Sequence, residues 1–190
     1  MPPDLLTERL LLRRWRAEDR DPLANMNADP RVMEHFPKTM TFEESQAMFE
    51  RFHAHVDEQG FGVWAVEIPG VAACAGFLGL WRPKFAAHFT PCVEMAWRLA
   101  TEHWNHGYAT EGAKAVMTYG FETLGLPELV AYTAVENLRS RRVMEKLGMT
   151  RNPADDFDHP NMPEGHPVRR QVLYRKKAAR AGGVAAGLFG

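Results

Sequence analysis

The sequence predicts an α/β fold of the mixed α+β kind: a mostly antiparallel sheet of six to seven strands with helices on both faces. Three observations carry this. Two segments rich in Val, Trp, Phe and Leu, residues 61–68 and 73–81, flank the turn dipeptide Pro69-Gly70, and a third, 92–100, follows them. Apolar residues at helical spacing precede and follow that block. In the second half a helical stretch stands between two strand-like ones, which implies local parallel pairing.

Residues 9–15 are an apolar run between charges and read as a first strand. Ala17, Glu18 and Asp19 open a helical stretch that ends near Asn27, and Asp29-Pro30 marks a turn. Thr41 reads as an N-cap whose capping box is completed by Glu44. Behind it Ala47, Met48, Phe52 and Val56 keep helical spacing to about Glu58, and Gly60 ends the helix. The strands at 61–68 and 73–81 pair as a hairpin, 82–91 is a loop, and 92–100 completes an antiparallel meander. Ala113, Val116, Met117 and Phe121 mark a helix over 110–124, closed by Gly125 and Pro127. A strand at 129–135 and a helix at 137–147 follow, with Lys146 suiting the last turn and Gly148 ending it. Residues 152–167 hold four prolines and three aspartates and read as a loop. Residues 171–174 are a final strand. Residues 1–177 thus read as one domain, and the Ala-, Gly- and Arg-rich 178–190 as a flexible tail.

Composition narrows the function classes. The 190 residues are 45% hydrophobic and 25% charged, with a formal net charge of -1, which gives no basis for bulk attraction to nucleic acid or an anionic membrane. No apolar run approaches the ~18 residues of a membrane span. Met1-Pro2-Pro3-Asp4 does not open a signal peptide. The two cysteines, Cys74 and Cys92, lie in apolar strand-like segments without metal-ligand spacing. They read as small core residues of a protein kept in a reducing cytoplasm.

Residues 92–100 run into His103-Trp104-Asn105-His106-Gly107-Tyr108-Ala109-Thr110 and then directly into a helix. Free N–H groups and a partial positive charge at a helix start suit a pyrophosphate. Gly107 lets backbone approach an anion, and Ala109 is nearly as small. By itself this is equally a strand-to-helix loop with a convenient glycine, since neither dinucleotide nor P-loop glycines are present.

The run from Trp104 to Gly112 resembles the acetyl-CoA motif of the GNAT superfamily, closest to its RimJ/RimL-type branch with W-G-K-G-Y-A-T-E-A. Trp104 stands where the wider superfamily has Arg or Gln, as is usual in that branch. Glu136-Asn137-Leu138-Arg139-Ser140 through Lys146-Leu147-Gly148-Met149 is similar to the branch's E-N-x-x-S-x-x-V-x-x-K-L-G-F. Thr7-Glu8-Arg9-Leu10 and Asn27-Ala28-Asp29-Pro30 match as well, so the resemblance runs from about Thr7 to Tyr174. It implies a GNAT fold and an acetyl-CoA-dependent N-acetyltransferase that acts on a primary amine, a protein N-terminus or a small molecule, without a metal. A GNAT-fold acyl-CoA sensor without turnover is the alternative. Homodimers are common in such proteins.

The resemblance assigns the pyrophosphate to Asn105, His106, Gly107, Tyr108, Ala109 and Thr110, and the pantetheine to main chain of Trp97, Arg98 and Leu99. Asn137 would bond the pantetheine, or simply cap its helix. The Tyr that many GNATs place seven residues after this Asn is Met144 here. Ser140 would donate to the departing thiolate, or is a small residue of the first helical turn. Glu94, mid-strand in a run similar to E-I-G-Y-W-L, is the candidate base, or a partner of Arg98 four residues on. Tyr132 stands where other members carry a Glu. Asp155, Asp156, Asp158 and His159 could attract an amine, or belong to a surface loop. The acceptor walls, roughly 26–53 and 151–166, are polar mixtures with aromatics that specify no particular amine.

Overall fold

Pro69-Gly70 turns the chain where expected: Gly70 takes φ 75°, and the Val71 N–H donates to the Ile68 carbonyl at 2.9 Å. In the computed structural model, which describes residues 2–179, this turn joins β3 (Val63–Ile68) to β4 (Ala72–Trp81). Before them come β1 (Leu5–Leu6), β2 (Leu11–Arg13), α1 (Arg20–Ala28) and α2 (Phe42–Gln59). After them come β5 (Glu94–Leu99), α3 (Tyr108–Thr118), β6 (Glu128–Ala134), α4 (Leu138–Lys146), β7 (Thr150–Arg151), β8 (Phe157–Asp158) and β9 (Arg170–Lys177). The strands form one sheet in the order β1-β2-β3-β4-β5-β6-β9-β7, with β8 also on β9. Every pairing is antiparallel except β5 with β6.

Period two sorts the strand residues between two helical layers. Val63 and Ala65 of β3 and Phe77 of β4 pack with Leu23, Met26, Phe49 and Phe52 of α1 and α2. Trp64, Val66 and Leu78 face the other way, onto Ala113 and Val116 of α3 and Met144 of α4. The capping box of α2 forms as expected: Thr41 Oγ1 accepts from the Glu44 N–H at 3.2 Å, and Glu44 Oε2 accepts from the Thr41 N–H at 2.9 Å. Gly60 closes that helix at φ 74°.

The expected elements shift in detail. Three two-residue strands, β1, β7 and β8, raise the sheet to nine strands. The run over 9–15 contributes only Leu11–Arg13. The helical stretch from Ala17 is a 3-10 turn, Ala17–Asp19, followed by α1. The helix expected at 110–124 starts at Tyr108 and ends in a π-helical turn, Tyr119–Thr123. The final strand runs to Lys177 because β6 pairs with it along its whole length. The expected tail lies, from 180 onward, outside the described residues. No helix among them is long and apolar enough to cross a membrane.

Cys74 and Cys92 are free and only partly buried, packed against the edges of hydrophobic clusters. Burial pushes both thiols up to about 11, so they are not thiolates near neutral pH.

Candidate active site

β5 is paired with β4 over six residues, from Trp81↔Glu94 to Gly76↔Leu99, and β6 with β9 over seven. Between the two halves the sheet holds by one register pair, Glu94↔Val130, and by the Val130 N–H donating to the Val93 carbonyl at 3.0 Å. Past Glu94 the strands splay. Main-chain directions alternate along a strand, so the edge this leaves open can be read residue by residue. The Val93 carbonyl faces β6, and the Ala100 N–H faces β4 through Ala75. Met95, Trp97 and Leu99 therefore present main chain to the wedge, while Arg98 turns its main chain toward β4. One acceptor on that edge is occupied: the Trp104 indole donates to the Leu99 carbonyl at 2.8 Å.

The wedge opens onto the start of α3. Asn105 (φ 63°) and Gly107 (φ 84°) both take left-handed backbone, which Gly adopts freely and Asn more readily than most other side chains. Gly107 is the N-cap and offers no side-chain oxygen, and the first helical bond runs from the Glu111 N–H to the Gly107 carbonyl at 3.0 Å. The N–H groups of Tyr108, Ala109 and Thr110 thus have no partner among the described residues. Glu111, which would compete for an anion site in the first turn, is held away. Its carboxylate accepts from Thr7 Oγ1 at 2.6 Å and from the Arg9 N–H and Nε, each at 2.8 Å. Arg9 also donates to the His106 carbonyl at 3.0 Å, and its guanidinium lies 4.8 Å from the Tyr108 ring centre. The opening segment therefore braces the α3 entrance.

A cleft of about 700 Å³ follows the wedge. Its lining includes Glu94, Trp97, Arg98, Leu99, Asn105, Gly107, Tyr108, Ala109, Thr110, Asn137 and Ser140. Of the expected residues, His106 alone lies outside it, stacked on Tyr108 at 5.4 Å. Asn137 caps α4: its Oδ1 accepts from the Ser140 N–H at 3.2 Å, and its Nδ2 donates to Thr133 Oγ1 at 2.9 Å. Asn137→Ala is expected to cost about 1 kcal/mol, read as a lower urea midpoint. The Ser140 hydroxyl has no hydrogen-bond partner among the described residues and lines the cleft. Met144 is buried in the core, so no side-chain acid enters from that position.

Glu94 sits at the vertex of the splay. Burial pushes its carboxyl up to about 7, against the pull of the Tyr132 hydroxyl, which donates to Oε2 at 2.5 Å. The same burial and the facing carboxylate push the Tyr132 phenol far up, so it stays a neutral donor. Glu94 does not pair with Arg98, the alternative open in the sequence. Arg98 instead donates from Nη1 to Asn27 Oδ1 at 2.5 Å, on the α1 side of the sheet. The acids after β7 are engaged too: Asp155 binds Arg175, Asp156 binds Arg151, and Asp158 binds Arg170. Their place is structural, which leaves His159 as the cleft-lining member of that cluster. No group of three His, Cys, Asp or Glu suited to a metal occurs among the described residues.

The profile of the family described as "Acetyltransferase (GNAT) domain" matches residues 9–150. The chain belongs to the GNAT acetyltransferase family. A relative in Aspergillus fumigatus, FsC-acetyl coenzyme A-N(2)-transacetylase, is 31% identical over 160 residues covering 78% of this chain, which spans 65% of that protein's length. An acetyltransferase (GNAT family) from Bacillus anthracis superposes with a TM-score of 0.75 at 26% identity, over 92% of this chain and 98% of the other. The spermidine N-acetyltransferase of Vibrio cholerae, solved with CoA and spermine, shares the fold at 19% identity, with a TM-score of 0.68 over 89% and 95% of the two chains.

In this GNAT acetyltransferase, sequence reasoning missed Tyr132 as the partner of Glu94 and Thr7 and Arg9 as the brace of α3. The Tyr132 contact depends on a parallel register that no local pattern carries. The Arg9–Glu111 pair joins residues whose ion pair at 2.6 Å spans most of the domain in sequence. Arg139, stacked 4.4 Å from the Trp104 ring centre, was visible only as part of a motif.

Proposed function

We propose that the chain, as a single domain over 1–177 and of the RimJ/RimL-type branch, moves the acetyl group of acetyl-CoA onto a primary amine by direct attack in a ternary complex in the cytoplasm. One observation carries this reading: the open main-chain edge of β5 leads from the uncapped start of α3 to a carboxyl poised near neutrality.

The residues fit the cofactor. Free N–H groups of Tyr108, Ala109 and Thr110 suit a pyrophosphate, and the Trp97 and Leu99 edge suits the amides of a pantetheine arm, as an added strand would. When bound, acetyl-CoA supplies an activated thioester. The chain does the rest. An alkylamine is mostly protonated near pH 7, so a proton must leave before attack. Glu94 accepts it through water, and the neutral Tyr132 phenol steadies the resulting carboxylate. Ser140 donates to the departing sulfur while staying neutral. The products are an acetamide and free CoA.

Ser140→Ala is expected to lower kcat about tenfold with CoA affinity unchanged, measured by thiol release and calorimetry; unchanged turnover removes its role. Against the binding-only alternative stand Ser140 and Glu94 together, a hydroxyl unpartnered among the described residues and a burial-raised carboxyl that both line the cleft. A screen of amines with acetyl-CoA, read by thiol release, tests the proposal. Release that depends on an amine supports transfer, and tight CoA binding with no release from any amine establishes the sensor.

A further inference from the structure

Arg98 is 8% exposed, yet no carboxylate lies within salt-bridge distance of it among the described residues. Asn27, itself fully buried and held by Ser45, takes one hydrogen from Nη1. Nε is buried without a partner, and Nη2 makes no hydrogen bond. The Phe36 and Phe77 rings lie 4.1 and 5.2 Å from the guanidinium carbon. A buried, protonated guanidinium with one of its five donors engaged is costly unless something completes it. Arg98 lines the cleft, so a ligand can do so.

The side chain's position says which ligand. Arg98 emerges toward α1, Phe36 and Phe77, whereas the α3 entrance lies with the opposite layer. Its anion is therefore not the pyrophosphate. Glu94 and Arg98 share one face of β5, their Cα atoms about 13 Å apart at ~3.3 Å per residue. Glu94 is also the single carboxylate in the cleft lining, against Arg51 and Arg98 on the acceptor side, the nearby Arg31 being paired with Asp29. A polyamine needs several acids; this wall offers one.

We propose that Arg98 receives a carboxylate borne by the acceptor, making the acceptors amino carboxylates whose amine and carboxylate stand several bonds apart. This rests on the acetyl-transfer reading, but binding tests it separately. Full-length protein saturated with CoA is titrated by calorimetry with ω-amino carboxylates of increasing chain length, their carboxamides, and α,ω-diamines. The carboxylates are expected to bind at least tenfold tighter than the matched amides and diamines, as an added charge-assisted hydrogen bond implies. Arg98→Met should erase that preference and leave CoA affinity intact. Where that variant fails to fold, Asn27→Asp supplies Arg98 with an internal counter-ion and should erase it likewise. Equal or tighter binding of amides or diamines overturns the proposal, as does a preference that survives both substitutions. A further arm compares succinyl-CoA with acetyl-CoA: tighter succinyl-CoA binding that depends on Arg98 places the carboxylate on the acyl donor and overturns the assignment to the acceptor. If carboxylates bind through Arg98 but no thiol is ever released, acetyl transfer fails and the anion site stands.

Discussion

Glu94→Gln is expected to lower kcat by about a hundredfold or more and to remove the acid limb of the pH–rate profile. In the unaltered protein activity should rise with pH through about 7, as the buried carboxyl loses its proton and becomes a base. Gln cannot titrate, yet it still accepts from Tyr132, so the site keeps its shape. An unchanged pH profile contradicts the base assignment. Stability should move the opposite way. A carboxyl raised from about 4.3 when unfolded to about 7 when folded favours the folded state only while protonated. Its contribution is present below about pH 4 and is lost as pH rises through 7, a loss on the order of 3–4 kcal/mol. Glu94→Gln should therefore raise the Tm at pH 8 and leave it unchanged near pH 4. A buried carboxyl that costs stability is the trade-off expected where a residue is kept for function and not for packing.

Ala109→Asp should weaken CoA binding by about a hundredfold or more while leaving the fold at least as stable. Ala109 is in the first turn of α3, beside the unpartnered N–H groups of Tyr108 and Thr110. A carboxylate there complements the helix dipole and adds about 0.3–1 kcal/mol to the helix. Against a bound pyrophosphate it is a like charge at contact distance, which costs several kcal/mol. Calorimetry with CoA and a thermal melt separate the two effects. An unaltered Kd with an unaltered melt would place the phosphates elsewhere. The opposite signs exclude general damage as the explanation of lost binding.

Much of the fold was legible because its signals are local. The Thr41–Glu44 capping box and the Pro69-Gly70 hairpin each lie within four residues and form as read, and Asn137 makes the helix cap that stood as the alternative to a pantetheine contact. The short strands β7 and β8 were not legible. Their two-residue lengths carry no period, and they exist because β9 offers a long edge for pairing. At the site, the α3 entrance and Glu94 stand out as residue types in the wrong solvent for their chemistry. What surrounds them is set by register. Only β5 against β6 decides that Glu94 meets Tyr132, and the packing of α1 on the sheet decides that Arg98, about 13 Å along the strand from Glu94, meets Asn27. Asn137 shows a further limit of motif reading: its Oδ1 caps α4 and one Nδ2 hydrogen goes to Thr133, which leaves the second Nδ2 hydrogen for a ligand.

Amide hydrogen exchange with and without CoA tests the central claim most directly, because the claim concerns main chain. CoA should slow exchange at Tyr108, Ala109 and Thr110 and at Trp97 and Leu99, the amides that have no protein partner facing the wedge. It should leave Arg98 unchanged, since its amide is already paired toward β4. Protection confined to other segments, or none on saturation with CoA, would contradict the account.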